Sequence, residues 1–274
     1  METGTILDEI MDAKRVELAR HQADVPQAEL EERVKHSPFP LNLSGALWGD
    51  KVRLIAECKK ASPSKGVLAT DYDPVAMALS YAENGAAAIS VLTEVDYFQG
   101  SLAHLRAVKD AMGPLNVPVL RKDFLFDPYH LYEARANGAD AVLLIVAALE
   151  ELLLRELMAV AQTIWLQTLV EVHNEAELET ALRCGAEIIG INHRDLKTFQ
   201  VDTSLSLVLR PLIPQGRMIV AESGLSSAAD VTPLKAAGVN AILVGEAVMT
   251  ADDPGAKVRE LAGVSRLGIV KKKR

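Results

Sequence analysis

Four glycines most constrain what this chain can fold into. Gly85, Gly138, Gly185 and Gly238 stand 53, 47 and 53 residues apart. Each closes a stretch of helical patterning and leads into a short apolar run. That is where a residue in the left-handed conformation ends a helix. One strand with its helix takes about 25 residues, so each interval holds two such units. Strand-like runs fall at 52–58, 87–92, 117–120, 141–146, 166–170, 187–192, 218–221 and 241–244. Helical segments lie between and after them, at 74–84, 101–112, 128–137, 149–162, 174–184, 203–210, 227–237 and 254–262. Three helices open with Asp-Pro (Asp73-Pro74, Asp127-Pro128, Asp253-Pro254), an N-cap followed by proline in the first turn. The strands are apolar on both parities, as strands buried on both faces are. Eight strands and eight helices in strict alternation predict a closed (β/α)8 TIM barrel. The rival, an open doubly wound sheet, calls for a glycine-rich phosphate turn after its first strand. Ser62-Pro63-Ser64-Lys65-Gly66 lacks that spacing.

An N-terminal helical extension, residues 1–48, precedes the barrel. Thr5-Ile6-Leu7-Asp8 reads as a capping signal. Ile6, Leu7, Ile10, Met11 and Leu18 then recur at helical spacing. A second helix is expected at 28–34, and Pro38-Phe39-Pro40 ends the pattern. The chain reads as one domain: extension 1–48, barrel 49–265 and a solvated basic tail 266–274. Only 4% of its 274 residues are aromatic, so the core is aliphatic. A net charge of −8 argues against a nucleic-acid partner. No apolar run reaches the roughly 18 residues of a membrane helix, and the N-terminus carries no signal pattern. Cys58 and Cys184 show neither metal spacing nor a disulfide framework, which fits the cytoplasm.

The polar residues gather at the C-terminal ends of strands. Strand one carries Glu57 and Lys59 on one face, with Cys58 turned the other way. A salt bridge closing a sheet edge is the plain alternative for that pair. Strand three ends in Lys122, strand five in Glu171 and strand seven in Glu222. Alternate strands of such a barrel contribute one inward layer, so these charges are expected to face one another at the end where barrel active sites lie. Asn192 ends strand six. Ser223-Gly224 after strand seven and Gly245-Glu246 after strand eight suit the usual barrel phosphate site, although the Glu246 carboxylate is awkward beside phosphate. Arg194 can grip a carboxylate or pair with Asp195 or Asp202. Phe98, on a long loop, suits a wall for a flat ring, or packs on the surface. His173 and His193 are expected at the rim. Carboxylates push the Lys122 pKa up, and burial and Lys59 push it down; the residues leave that direction open.

Six stretches in order carry a resemblance: Ile55–Gly66 (IAECKKASPSKG), Thr93–Gly100 (TEVDYFQG), Val119–Phe124 (VLRKDF), Leu169–His173 (LVEVH), Gly190–Phe199 (GINHRDLKTF) and Ala221–Leu225 (AESGL). Together with the extension they resemble the indole-3-glycerol-phosphate synthase family of tryptophan biosynthesis. The resemblance implies a carboxy-lyase that closes the indole ring of 1-(2-carboxyphenylamino)-1-deoxyribulose 5-phosphate, releasing CO2 and water. It implies no cofactor and no metal. Lys122 matches the general acid and Glu171 the acid–base partner of dehydration. Glu57 and Lys59 match the pair that supports the reaction electrostatically, and Asn192 and Glu222 polar groups beside the reacting carbons. Ser223, Gly224 and Gly245 match the phosphate site, which Glu246 adjoins. Ser62, Phe98, Phe124 and Arg194 fall in motifs that line the pocket. It also implies a phosphorylated small-molecule substrate, a monomer or weak homo-oligomer, and association with other enzymes of the pathway. His193 stands where the family often has Asn, and 159–168 (AVAQTIWLQT) reads unusually into strand five. The alternatives are a Schiff-base aldolase, a phosphosugar isomerase and a non-catalytic phosphate-ligand sensor.

Overall fold

The computed structural model describes residues 4–196 and 198–263. The expected basic tail, 266–274, lies outside the described residues. Eight parallel strands close into a barrel: β1 Arg53–Cys58, β2 Ala88–Leu92, β3 Val119–Lys122, β4 Ala141–Ile145, β5 Gln167–Val172, β6 Ile188–Asn192, β7 Met218–Glu222 and β8 Ala241–Val244. β1 pairs with both β2 and β8, so the sheet has no edge. Side chains alternate across each strand and build two cores. Ile55, Leu120, Leu143, Leu169, Ile188, Val220 and Leu243 fill the inside. Leu54, Ile89, Val142, Val170, Ile189 and Ile242 face the surrounding helices.

The Asp-Pro signals act as read. Asp73, Asp127 and Asp253 each accept backbone N–H groups at the start of a helix. Gly85, Gly138, Gly185 and Gly238 all take positive φ. The residue after each glycine donates back into the helix, as Ala86 N does to Tyr81 O at 3.0 Å. Trp165 occupies the same turn, with φ 62 and Leu166 N donating to Ala161 O at 2.9 Å. A tryptophan standing where its counterparts are glycine is why 159–168 reads unusually into strand five. Its exposed ring meets Phe39 edge-on, 5.9 Å between centroids.

Three strands run further toward the active end than their expected apolar runs; β7 gains Glu222, and β3 and β5 gain two residues each. β3 starts at Val119, after Pro118, which has no N–H to offer a ladder, and continues to Lys122, which pairs with Leu92. β5 runs to Val172, past Glu171, which pairs with Ile145 and Gly190. Charges end a strand only when they face solvent, and these face the barrel axis.

Among the described residues the extension holds three helices rather than two: α1 Ile6–Asp24, α2 Gln27–His36 and α3 Leu43–Leu47. The Thr5–Asp8 capping box opens α1. The third, missed for its brevity, is capped by Asn42, whose side chain accepts Gly45 N at 2.8 Å. Its Leu43 and Leu47 are fully buried in the inner core, and Ser44 bonds to Gln167 at the start of β5, so α3 closes the bottom of the barrel. α1 is held against the end of β3 by buried charge. Lys14 Nζ lies 3.0 Å from both Glu17 Oε1 and Asp123 Oδ2, and His21 Nδ1 lies 2.7 Å from Glu133 Oε1.

Candidate active site

Parity delivers the ionisable groups to one place. Glu57, Lys122, Glu171 and Glu222 share the inward faces of β1, β3, β5 and β7 with the residues of the inner core two positions before them. A cavity of about 420 Å³ opens at this end. All fourteen residues singled out from the sequence line it: Glu57, Lys59, Ser62, Phe98, Lys122, Phe124, Glu171, Asn192, Arg194, Glu222, Ser223, Gly224, Gly245 and Glu246.

Lys59 Nζ pairs with Glu57 Oε1 at 2.9 Å, and Lys122 Nζ stands 3.8 Å from Glu171 Oε2. Asn192 Oδ1 accepts from Ser223 Oγ at 2.8 Å and from Arg194 N at 3.1 Å, which ties the ends of β6 and β7 together. Neither carboxyl oxygen of Glu222 has a hydrogen-bond partner among the described residues, although both are buried.

Burial opposes charge on all four groups, and the neighbours decide which stay charged. Lys122 is raised: burial lowers its pKa, but the carboxylates of Glu171, Glu57 and Glu222 outweigh it. Burial likewise works against Glu171, yet Lys122 and then His173 hold it down to about 2. Glu57 is lowered by Lys59 and Lys122 against its burial. Glu222 goes the other way. Burial, then the Glu171 charge, raise it well above the usual carboxylate range. The layer therefore holds an ammonium, two carboxylates and a fourth carboxyl that its surroundings push toward the protonated form. Environments that drive like groups apart in this way are how one site holds both an acid and a base.

The raised Glu222 pKa works against stability at neutral pH. Unfolded, the group ionises near 4.5, whereas folded it keeps its proton far higher. Its contribution is thus fully present below pH 4.5 and is lost as pH climbs toward the folded value. Glu222→Gln removes that loss. The stability of the variant relative to the parent rises as pH climbs from 4.5 toward the folded value, read from urea midpoints. A gap that does not change with pH contradicts the assignment.

Two glycines make room for the carboxylates. A Cβ on Gly190 would collide with Glu222 Oε1 and stand 3.3 Å from its Cδ. A Cβ on Gly245 would collide with Glu57 Oε1. Gly245, read as a phosphate-loop residue, thus also spaces Glu57. Gly190 escaped notice because a glycine inside a strand gives no sign of what fills its gap. Gly190→Ala displaces Glu222 and is expected to lower kcat by about 10- to 100-fold in a folded barrel. Parallel activity and circular dichroism measurements check this.

The mouth is built from loops. Ser223 and Gly224 have φ of 68 and 74, and Val201 Cγ1 occupies the space a Gly224 Cβ would need. The short helix Glu246–Met249 follows Gly245. Glu246 turns to Lys65, with which it pairs, and lies 3.9 Å from Arg194. Phe98 is fixed by Glu94, whose buried carboxylate accepts the N–H groups of Asp96, Tyr97 and Phe98 at 2.9, 2.7 and 2.9 Å. Phe98 and Phe124 lie 6.2 Å apart and form an apolar wall. Ile6, Leu7 and Ile10 of α1 also line the cavity. Their helical spacing announced a helix but not what it covers.

Two expectations need correction. His193 is not at the rim. It is buried, with ring nitrogens 2.9 Å from Ser223 O and 2.7 Å from Ser206 Oγ, and burial lowers its pKa. His173 is not at the rim either, because it continues the inward parity of β5. Its Nε2 lies 3.3 Å from Glu171 Oε1, and its side chain is 8% exposed. Among the described residues, no group of three or more His, Cys, Asp or Glu is placed to hold a metal ion.

Comparison with known proteins is consistent with this geometry. The family profile described as indole-3-glycerol phosphate synthase matches residues 7–261. The indole-3-glycerol phosphate synthase of Dehalococcoides mccartyi (strain CBDB1) is 48% identical over 257 residues, 93% of this chain and 99% of that protein. That of Mycolicibacterium smegmatis (strain ATCC 700084 / mc(2)155) is 44% identical over 261 residues, 95% of each. Among solved structures, 3-hexulose-6-phosphate synthase from Salmonella typhimurium superposes with a TM-score of 0.60 at 14% identity, covering 79% of this chain and 100% of its own. A mutant tryptophan synthase α-subunit from Pyrococcus furiosus gives 0.60 at 16% identity, covering 78% and 98%. Those two likenesses show the shared fold alone. With the profile spanning barrel and extension together, and relatives matched over nearly their whole length, this chain belongs to the indole-3-glycerol phosphate synthase family.

Proposed function

We propose that Lys122 is the general acid of the ring closure and Glu171 the acid–base group of the dehydration that follows. The observation that carries this is the Lys122 ammonium standing 3.8 Å from Glu171 among carboxylates that hold it protonated. In the first step an aromatic carbon attacks the substrate carbonyl, whose oxygen gains negative charge. An ammonium aimed at that oxygen stabilises the charge and supplies the proton. Loss of CO2 restores the aromatic ring. Water then leaves with a proton from an ammonium, while the ionised Glu171 takes a proton from carbon.

Glu57 holds Lys59 where it can meet the substrate carboxylate, and Glu222, as a neutral carboxyl, offers a hydrogen bond beside Asn192. Ser223, Gly224, Gly245 and Glu246 border the phosphate end, with Lys65 and Arg194 exchanging Glu246 for the incoming dianion. Ser62 edges the mouth, and Phe98 and Phe124 clasp the ring. A Schiff-base route is disfavoured, because imine formation needs a neutral amine and Lys122 is held as the cation. Barrel and extension work as one catalytic domain, placed in the cytoplasm. The net charge of −8 sets copies repelling one another and favours a monomer or weak homo-oligomer.

Glu171→Gln separates the steps. Supplied with the carboxyphenylamino-deoxyribulose phosphate, the variant is expected to release CO2 while indole absorbance rises about 10²- to 10⁴-fold more slowly than in the parent. CO2 and indole appearing together at the parent rate would falsify the assignment of Glu171.

A further inference from the structure

Beyond Glu171, the inward face of β5 continues to a histidine. His173 lies two residues on, so it leaves the strand on the same side. Its Nε2 is 3.3 Å from Glu171 Oε1, and its Nδ1 is 3.0 Å from Glu177 Oε2. Glu177 is itself anchored. The same Oε2 accepts His173 N at 2.8 Å, and Oε1 accepts Asn174 Nδ2 at 2.7 Å. Asn174 caps the helix Glu175–Arg183 by accepting Glu177 N at 2.9 Å. A helix start thus fixes Glu177, Glu177 fixes the ring, and the ring faces Glu171.

An imidazole with a carboxylate near each nitrogen is favoured as the cation: Nδ1 hydrogen-bonds to Glu177, and Nε2 faces Glu171 as an ion pair without a hydrogen bond of its own. Burial opposes that charge, but Glu171 and Glu177 raise its pKa to about 10. The other elements around this line bring Lys122 on β3, Asn192 on β6 and Glu222 on β7. The turn Val146–Ala148, packed between β5 and the helix of Glu177, brings no charge.

We propose that His173 is a positioning residue for the known reaction: clamped by Glu177, it engages Glu171 Oε1 and leaves Oε2 as the oxygen presented to Lys122 and the substrate. The inference rests on the role given above to Glu171. A single carboxylate cannot orient itself between two cations on opposite sides unless both are held. Lys122 is held by its strand, and His173 by Glu177.

His173→Gln keeps polarity and removes the cation. The test measures kcat and KM for indole formation across pH, with circular dichroism for folding. In the variant kcat falls about 10- to 100-fold, and KM stays within about twofold. With one cation gone, Glu171 takes up its proton at higher pH, so an acidic limb that the parent does not show enters the profile. A purely structural histidine moves no limb. Glu177→Gln decides the matter should the first variant fail to fold. It leaves the ring with one carboxylate, so the alkaline limb moves toward neutrality. Parent-like kcat and limbs in folded His173→Gln, or in Glu177→Gln, overturn the inference. Glu171→Gln, assayed alongside, keeps the two readings apart. If it is slow while His173→Gln is parent-like, only the role of His173 fails. If it matches the parent, the role of Glu171 fails first.

Discussion

Lys122→Met stops indole formation and leaves the barrel folded. Methionine nearly matches the length of the lysine stem and can lie along the same apolar wall. What disappears is the proton donor and the cation set among Glu171, Glu57 and Glu222. Loss of a positioned general acid alone lowers kcat by about 10²- to 10⁴-fold. Glu57 keeps Lys59 and Glu171 keeps His173, but the cation between them is gone. Glu171 and Glu57 lose a cation that holds each of them down, so their pKa values rise toward that of Glu222. The base is thereby weakened along with the acid. Lys122→Arg sharpens the test, because a guanidinium keeps the charge but gives up its proton poorly. It is expected to bind substrate and fail in turnover. Stopped-flow fluorescence of indole formation, with circular dichroism as the control, reads both variants. A Lys122→Met enzyme within tenfold of the parent, roughly 1.4 kcal/mol in the barrier, removes Lys122 from the mechanism.

The second large effect is on stability. Lys14→Met is expected to destabilise the fold by about 3–5 kcal/mol, the range for removing one partner of a buried ion pair. Lys14 is 1% exposed. Asp123 Oδ2 accepts from Lys14 at 3.0 Å, Thr93 Oγ1 at 2.6 Å and Arg121 Nη2 at 3.0 Å. Its Oδ1 accepts Phe124 N at 2.8 Å. Burial opposes the charge on Asp123, but Lys14 and then Arg121 hold its carboxyl well below the ordinary range. A depressed acid stabilises the fold above its unfolded pKa of 3.8 and loses that stabilisation as pH falls toward the folded value. Without Lys14 the folded pKa rises, so the gap between parent and variant narrows in acid. Because the same carboxylate holds Phe124 N, and Thr93 N holds Lys122 O at 3.1 Å, the site loosens with the helix. Urea midpoints at neutral and acid pH measure the effect. A neutral-pH midpoint equal to the parent's contradicts it.

Much of this architecture was legible in the residues because its causes are local. Asp-Pro at helix starts and glycine at helix ends act within one turn, and strand parity within two residues. Trp165 shows the limit of that reading. The turn it occupies is the glycine turn, and only the backbone reveals it. His173 was misplaced for a different reason. It was expected at the rim, and the room for another charged ring beside Glu171 depends on Glu177, which arrives from the next helix.

By itself, then, the order of residues determined the alternation of strand and helix, the closure of the barrel and the end at which ionisable groups collect. Each follows from short-range sterics and from hydrophobic period. Tertiary structure alone decided that the Lys122 pKa is raised and that of Glu222 is pushed up while its neighbours' are held down, that Gly190 and Gly245 shelter carboxylates, and that α1 walls the cavity through Ile6, Leu7 and Ile10. Charge state and cavity shape sum over groups brought together from distant parts of the chain. Coulomb energies depend on separations in space and on local burial, and neither is written in sequence spacing.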